Sequence, residues 1–315
     1  NRYQQLQEPV YYLAARALLS PEAPAGAAER FIENYKYNIR PATDDRPYFN
    51  NFFNGSSLQE LLALPARSGI ALIGVGYPTL LVTLAQSIIA ATVLILLPLV
   101  FIAKTGQRHH IKNPGRLQII LYFLSIGLAY LFIEIAFIQK LTLILSQPLY
   151  AVALTLCAFL IFSGAGSLYA QHRLQAPDMP SVPVLLQRPV LLIGLITLSY
   201  NLLLPLLSNH IMALPESARI LCAFALAAPL AFVMGMPFPL GMAVLQQQTP
   251  QLIPWAWGIN GCASVLSAIL AVLLAIEIGF NGVMLCAAVL YGVAWVGMLS
   301  FTQSSDSRSP AARAG

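Results

Sequence analysis

The sequence predicts an all-α integral membrane protein, a bundle of about seven transmembrane helices carrying a short N-terminal soluble segment. Three observations predict it. Seven mainly apolar stretches follow one another between residues 78 and 301, separated by short polar turns. A hydrocarbon core about 30 Å thick takes roughly 20 such residues per helical crossing. The 315-residue chain is 58% hydrophobic and 9% charged, whereas soluble domains carry charge on about a quarter of their residues.

Residues 1–60 differ from the rest. They hold six of the 17 Lys and Arg residues (Arg2, Arg16, Arg30, Lys36, Arg40 and Arg46). A helix is expected over 8–19, with Pro9 near its start, where a missing N–H is tolerated. Ser20, Pro21 and the Ala/Gly/Pro run to Ala28 end it, and a second short helix is expected over 28–35. Residues 37–49 are turn-rich, because residues before Pro41 and Pro47 avoid the α region. Sixty residues of this kind form no convincing core alone. They read as the C-terminal remnant of a soluble domain, with Asp44, Asp45 and Arg46 as a candidate hinge or an ordinary structural turn.

Residues 61–77, interrupted by Pro65, Arg67, Gly69, Gly74 and Gly76, read as an interfacial or re-entrant approach to the bilayer. The spans are then expected at 78–103, 117–138, 148–170, 189–207, 219–245, 255–278 and 281–301, with a disordered tail over 302–315. Loops 104–116 and 171–188 together with the tail hold eight basic residues, against Lys140 alone in loops 139–147 and 208–218. The excess of Lys and Arg places the first group, and the C-terminus, in the cytoplasm. That orientation leaves residues 1–60 outside unless residues 61–77 also cross.

The net charge of +5 is accounted for by these cytoplasmic loops rather than by nucleic-acid binding. Cys157, Cys222, Cys262 and Cys286 all lie in apolar segments without a CxxC pair, which disfavours a disulfide framework or a zinc site. His109 and His110 adjoin a basic loop and read as solvated. No catalytic triad, metal-binding HExxH motif or paired catalytic carboxylates are present.

Two carboxylates interrupt the apolar spans: Glu134 near the end of the second, and Glu277 near the end of the sixth. Charges at such positions are costly and commonly face a bundle interior or a wet cavity. Tyr130 one turn before Glu134, with Gln139 and Lys140 after it, completes a candidate polar site; the alternative is an acid that only fixes helix packing. Span five is broken by Pro229 and by the run Gly235, Pro237, Pro239 and Gly241. Irregular backbone of this sort lines binding sites in transporters or simply kinks a packed helix. Span six opens with Pro254, Trp255 and Trp257, and Asn260 sits among the small residues Gly258, Gly261, Cys262 and Ser264, a surface for close helix approach. Ser163-Gly164-Ala165-Gly166-Ser167 in span three is a similar face, and Tyr200, Asn201 and Pro205 are candidate polar glue in span four.

Taken in order, Glu8-Pro9-Val10-Tyr11-Tyr12, the run from Ile39 to Phe49, the run from Ile133 to Thr142, Gly235-Met236-Pro237-Phe238-Pro239-Leu240-Gly241 and Pro254-Trp255-Ala256-Trp257-Gly258-Ile259-Asn260-Gly261 resemble one group. It is the bacterial membrane proteins that fuse a spermidine-synthase-like Rossmann domain to a multi-helix membrane region. The resemblance implies a catalytic domain binding an S-adenosyl-type nucleotide upstream of residue 1, the bacterial inner membrane as location, and a polyamine or other small cation as a possible ligand. It also places residues 1–60 in the cytoplasm, against the loop count. The chain itself has no glycine-rich strand-to-helix turn followed by an acidic ribose ligand, so neither catalytic nor cofactor-binding residues are assigned to it. Three roles stay open: the membrane half of such a fusion, a transporter-like module with its site at the broken fifth helix, or a passive scaffold.

Overall fold

The computed structural model describes residues 10–20, 24–35, 38–49, 51, 76–98, 116–176 and 182–306. Among them every regular element is helical. The chain divides into two units, 1–81 and 82–315. The first contains α1 (Val10–Leu19) and α2 (Ala27–Asn34), which pack on each other. Gly26 precedes α2 with φ +78°, a left-handed conformation that glycine adopts without strain. Farther on, Thr43 and Arg46 exchange backbone hydrogen bonds of 3.2 and 2.9 Å across a tight turn.

Helix α3 (Gly76–Ala91) passes through the unit boundary and continues as a π-helical turn over Thr92–Leu96. The second unit then contains α4 (Arg116–Leu145), α5 (Pro148–Leu174), α6 (Val182–Met212), α7 (Glu216–Met234), α8 (Pro237–Gln248) and α9 (Ile253–Asp306). Six helical stretches among the described residues are long and apolar enough to cross a membrane: Gly76–Leu96, Leu117–Leu145, Pro148–Leu174, Leu185–Met212, Glu216–Gln248 and Pro250–Met298.

Helix α4 is the axis of the second unit. It is apolar on all faces, the pattern of an enclosed helix. In its most apolar window 61% is buried, against 6% for Gly76–Leu96. Helix α9 wraps it as two limbs. Asn260 Nδ2 donates to the Phe123 carbonyl (3.2 Å) and Ser267 Oγ to that of Leu128 (2.7 Å), so the first limb ascends beside α4. Asn281 then accepts from Lys140, while Gly297 faces the Gln118 carbonyl, so the second limb descends. The reversal falls at Gly279, with φ 78° and ψ 168°, a region essentially reserved for glycine. This is the boundary that the sequence placed between residues 278 and 281.

Several expected boundaries move. Gln139 and Lys140 resemble a loop in sequence, yet α4 continues through them to Leu145, and Leu141 is completely buried. The true turn is at Ser146, whose φ is 57°, followed by Gln147 and by Pro148 at the first turn of α5. Arg173 and Arg188, expected in a loop, lie inside α5 and α6, and the last helix continues to Asp306 rather than ending at 301. The basic loop with His109 and His110, most of segment 61–77 and residues 307–315 lie outside the described residues.

Candidate functional site

The face of α4 that carries Tyr130, Glu134 and Phe137 meets α5 and α6. The Tyr130 hydroxyl donates to Ser163 Oγ on α5 at 3.3 Å, and its ring stands edge-on to Phe159 at 6.1 Å. Phe137, one turn beyond Glu134, touches Phe159 at 5.6 Å and Tyr200 of α6 at 5.7 Å. Tyr200 in turn donates to the Leu226 carbonyl of α7 at 2.9 Å. Glu134 is 8% exposed and lies within electrostatic reach of Tyr130. Among the described residues its carboxyl group has neither an ion pair nor a hydrogen bond. A largely buried carboxylate without a counter-charge is costly, which makes Glu134 a candidate station for a cation. With α4 extended to Leu145, Glu134 lies about three turns from the helix end rather than the single turn expected.

The other sequence candidates separate. Gln139 is five residues from Glu134 and therefore on another face of α4. Lys140 is committed to Asn281 on the second limb of α9. Asn260 is bonded to Phe123 and fills the notch left by Gly127, where an added Cβ would come within 2.8 Å of its Nδ2. Glu277 is exposed, two residues before the Gly279 reversal. Of the six residues, Tyr130 and Glu134 share one face of α4, and the other four are placed elsewhere.

The interrupted fifth span is a packed break. Pro229 lies inside α7 beside the fully buried Leu230 and Ala231. Gly235 caps α7, and Pro237 opens α8 with half-buried Pro239 after it. A Cβ on Gly235 would collide with the Ser163 carbonyl oxygen, and one on Gly166 with that of Phe232, so both glycines are required by the α5–α7 contact. The Tyr122 hydroxyl also donates to the Pro237 carbonyl at 2.8 Å, tying α4 to the first turn of α8 just past the break. Phe238 is held edge-on between Phe123 (5.7 Å) and Trp257 (4.8 Å). Ser163 thus links the Tyr130–Glu134 pair to the break itself. A small apolar cavity lies lower on α4, lined by Ile119, Tyr122, Phe123, Gly241, Val244 and Met298. Its Tyr122 wall is about 18 Å along the helix from Glu134.

Of three further polar positions, the sequence singles out Asn201 but neither Arg219 nor Thr197. Arg219 at the start of α7 donates to the Ile144 carbonyl at 3.4 Å, binding the C-terminal end of α4. Thr197 of α6 is completely buried, and among the described residues neither its hydroxyl nor the Asn201 side-chain oxygen one turn later has a partner. A polar pair four residues apart inside an apolar run is the signal that could have found them.

In the first unit, Asp44 and Asp45 occupy the turn closed by Thr43 and Arg46, and the Arg46 N–H also donates to Thr43 Oγ1 at 3.2 Å. Nearby Tyr48 is half-buried, which pushes its hydroxyl up to about 12. The candidate hinge residues thus sit in a hydrogen-bonded turn. Among the described residues no three His, Cys, Asp or Glu side chains converge as a metal site.

No family model, curated protein or solved structure matches the chain.

Proposed function

We propose that the chain is the membrane-embedded half of a spermidine-synthase-like transferase fusion, anchoring an S-adenosyl-nucleotide-dependent domain at the bacterial inner membrane and admitting a small cation to Glu134. The unpaired, largely buried Glu134 on the central helix carries this reading. A structural acid in the same place would be expected to hold a partner. Support for the membrane comes from large apolar side chains facing outward, among them Val82, Leu94, Leu160, Leu168, Leu202 and Leu206, each at least 64% exposed. An apolar surface of that extent belongs against lipid or a partner. The ordered turn at Asp44–Arg46 is consistent with a junction to a preceding domain.

The test is movement of radiolabelled spermidine into inside-out vesicles carrying the full-length fusion. Glu134→Gln should abolish movement while leaving helicity and detergent elution unchanged. Undiminished movement in that variant would reject Glu134 as a cation station. A second reading, a transporter-like module independent of any transferase, is favoured by the helix break at Gly235–Pro237. On that reading, this chain alone in liposomes moves the cation, and no upstream domain is needed.

A further inference from the structure

Serine and threonine inside buried helices commonly return their hydroxyl to the carbonyl four residues back. Here Thr142 does so to Ile138 (2.7 Å), Thr155 to Ala151 (2.7 Å), Ser199 to Leu195 (2.9 Å) and Ser264 to Asn260 (3.0 Å). Thr197 does not. It is 0% exposed, and its Oγ1 has no partner among the described residues. Asn201 lies four residues on, hence on the same face, and its Oδ1 is also buried and unpartnered. Pro205 lies four residues beyond that and has no N–H to give the Asn201 carbonyl. One stripe midway along Leu185–Met212 therefore presents two buried side-chain oxygens one turn apart with no partner among the described residues, beside a carbonyl whose usual helical donor position is a proline.

We propose that this stripe, Thr197 Oγ1, Asn201 Oδ1 and the Asn201 carbonyl, binds a small monovalent cation of the sodium type. Buried polar oxygens are normally satisfied, and exceptions of this kind point to a ligand. Neutral hydroxyl, amide and backbone oxygens suit a hard cation, and backbone carbonyls released by an interrupted helix coordinate such ions in membrane proteins. The stripe is placed to work with the site already described. Tyr200, between Thr197 and Asn201 in sequence, touches Phe137, one turn from Glu134. The inference deepens the reading of the bundle as cation-handling and rests on it for its role, while the ion site itself is testable separately.

The experiment is thermal unfolding of the full chain in detergent at constant ionic strength, with Na+ exchanged for N-methyl-D-glucamine, a cation too large for the stripe. The midpoint should rise with Na+ and not with the large cation. Thr197→Val and Asn201→Leu should each need about tenfold more Na+ for the same rise, the loss expected for one removed ligand, and Thr197→Ser should restore it. Glu134→Gln should keep the Na+ dependence, so failure of the Glu134 reading and failure of this one are separable. Absence of a Na+-specific rise in the unmodified chain overturns the proposal. So does a Thr197→Val chain that keeps the full Na+ dependence, or one that is stabilised equally in both salts, as for a hydroxyl that had merely lacked a partner.

Discussion

Gly164 and Gly166 lie two residues apart on α5, yet they should respond oppositely to the same added methyl group. At Gly166 a Cβ would overlap the Phe232 carbonyl oxygen and come within 2.9 Å of its carbon. Both atoms are backbone and cannot rotate aside, so the helices must separate. Overpacking of this kind costs about 1–3 kcal/mol, and a backbone obstacle places Gly166→Ala at the upper end. At Gly164 nothing lies within 4 Å, and Ala gains up to about 1 kcal/mol through helix propensity. The two variants should therefore differ by about 2–4 kcal/mol. Equilibrium unfolding in mixed micelles, followed by tryptophan fluorescence and helicity, reads the difference directly. Gly235→Ala should resemble Gly166→Ala, and their combination should cost less than the sum because both open the same α5–α7 seam. Equal stabilities for Gly164→Ala and Gly166→Ala would refute the close backbone approach on which the position of Ser163 depends.

Gly279→Ala should destabilise the bundle by about 1–3 kcal/mol, since its φ of 78° and ψ of 168° strain any residue with a Cβ; the loss should appear in the same unfolding measurement. Tyr122→Phe should cost about 0.5–1.5 kcal/mol by removing the hydroxyl bond that ties α4 to the Pro237 carbonyl. Amide exchange should report this change first at the α7–α8 break, and exchange unchanged at residues 235–241 would contradict the role given to that hydroxyl.

Much of the fold is legible from local chemistry. Alternation of long apolar runs with polar turns gives the helices, and the Gly279-Phe280 interruption marks where the last one reverses. The turn signals were weaker where polar residues serve tertiary contacts. Gln139-Lys140 resembles a loop because its partner, Asn281, is far away in sequence. The glycine pair illustrates a second limit. Residues 164 and 166 are separated by about 200° around the helix, and only the orientation of α5 against α7 decides which one needs to be glycine. At the site, Glu134 and Tyr130 stand out because a carboxylate in an apolar run is rare. Glu277 stands out for the same reason and Asn260 and Lys140 as polar groups in or beside apolar runs, yet each is accounted for by its own neighbours or by exposure. Thr197 is the reverse case. A threonine in a long helix ordinarily bonds to its own backbone, so only the tertiary structure reveals a hydroxyl that does not.

The central claim is that the chain threads a bilayer, with the two limbs of α9 as separate crossings. Single cysteines placed at Gln248, Asn281 and Gln303, in a chain whose four native cysteines are replaced, test it by membrane-impermeant maleimide labelling of sealed vesicles in both orientations. The account predicts that positions 248 and 303 label from one side and 281 from the other. Labelling of all three from the same side, or recovery of the folded chain in buffer without detergent, would contradict it.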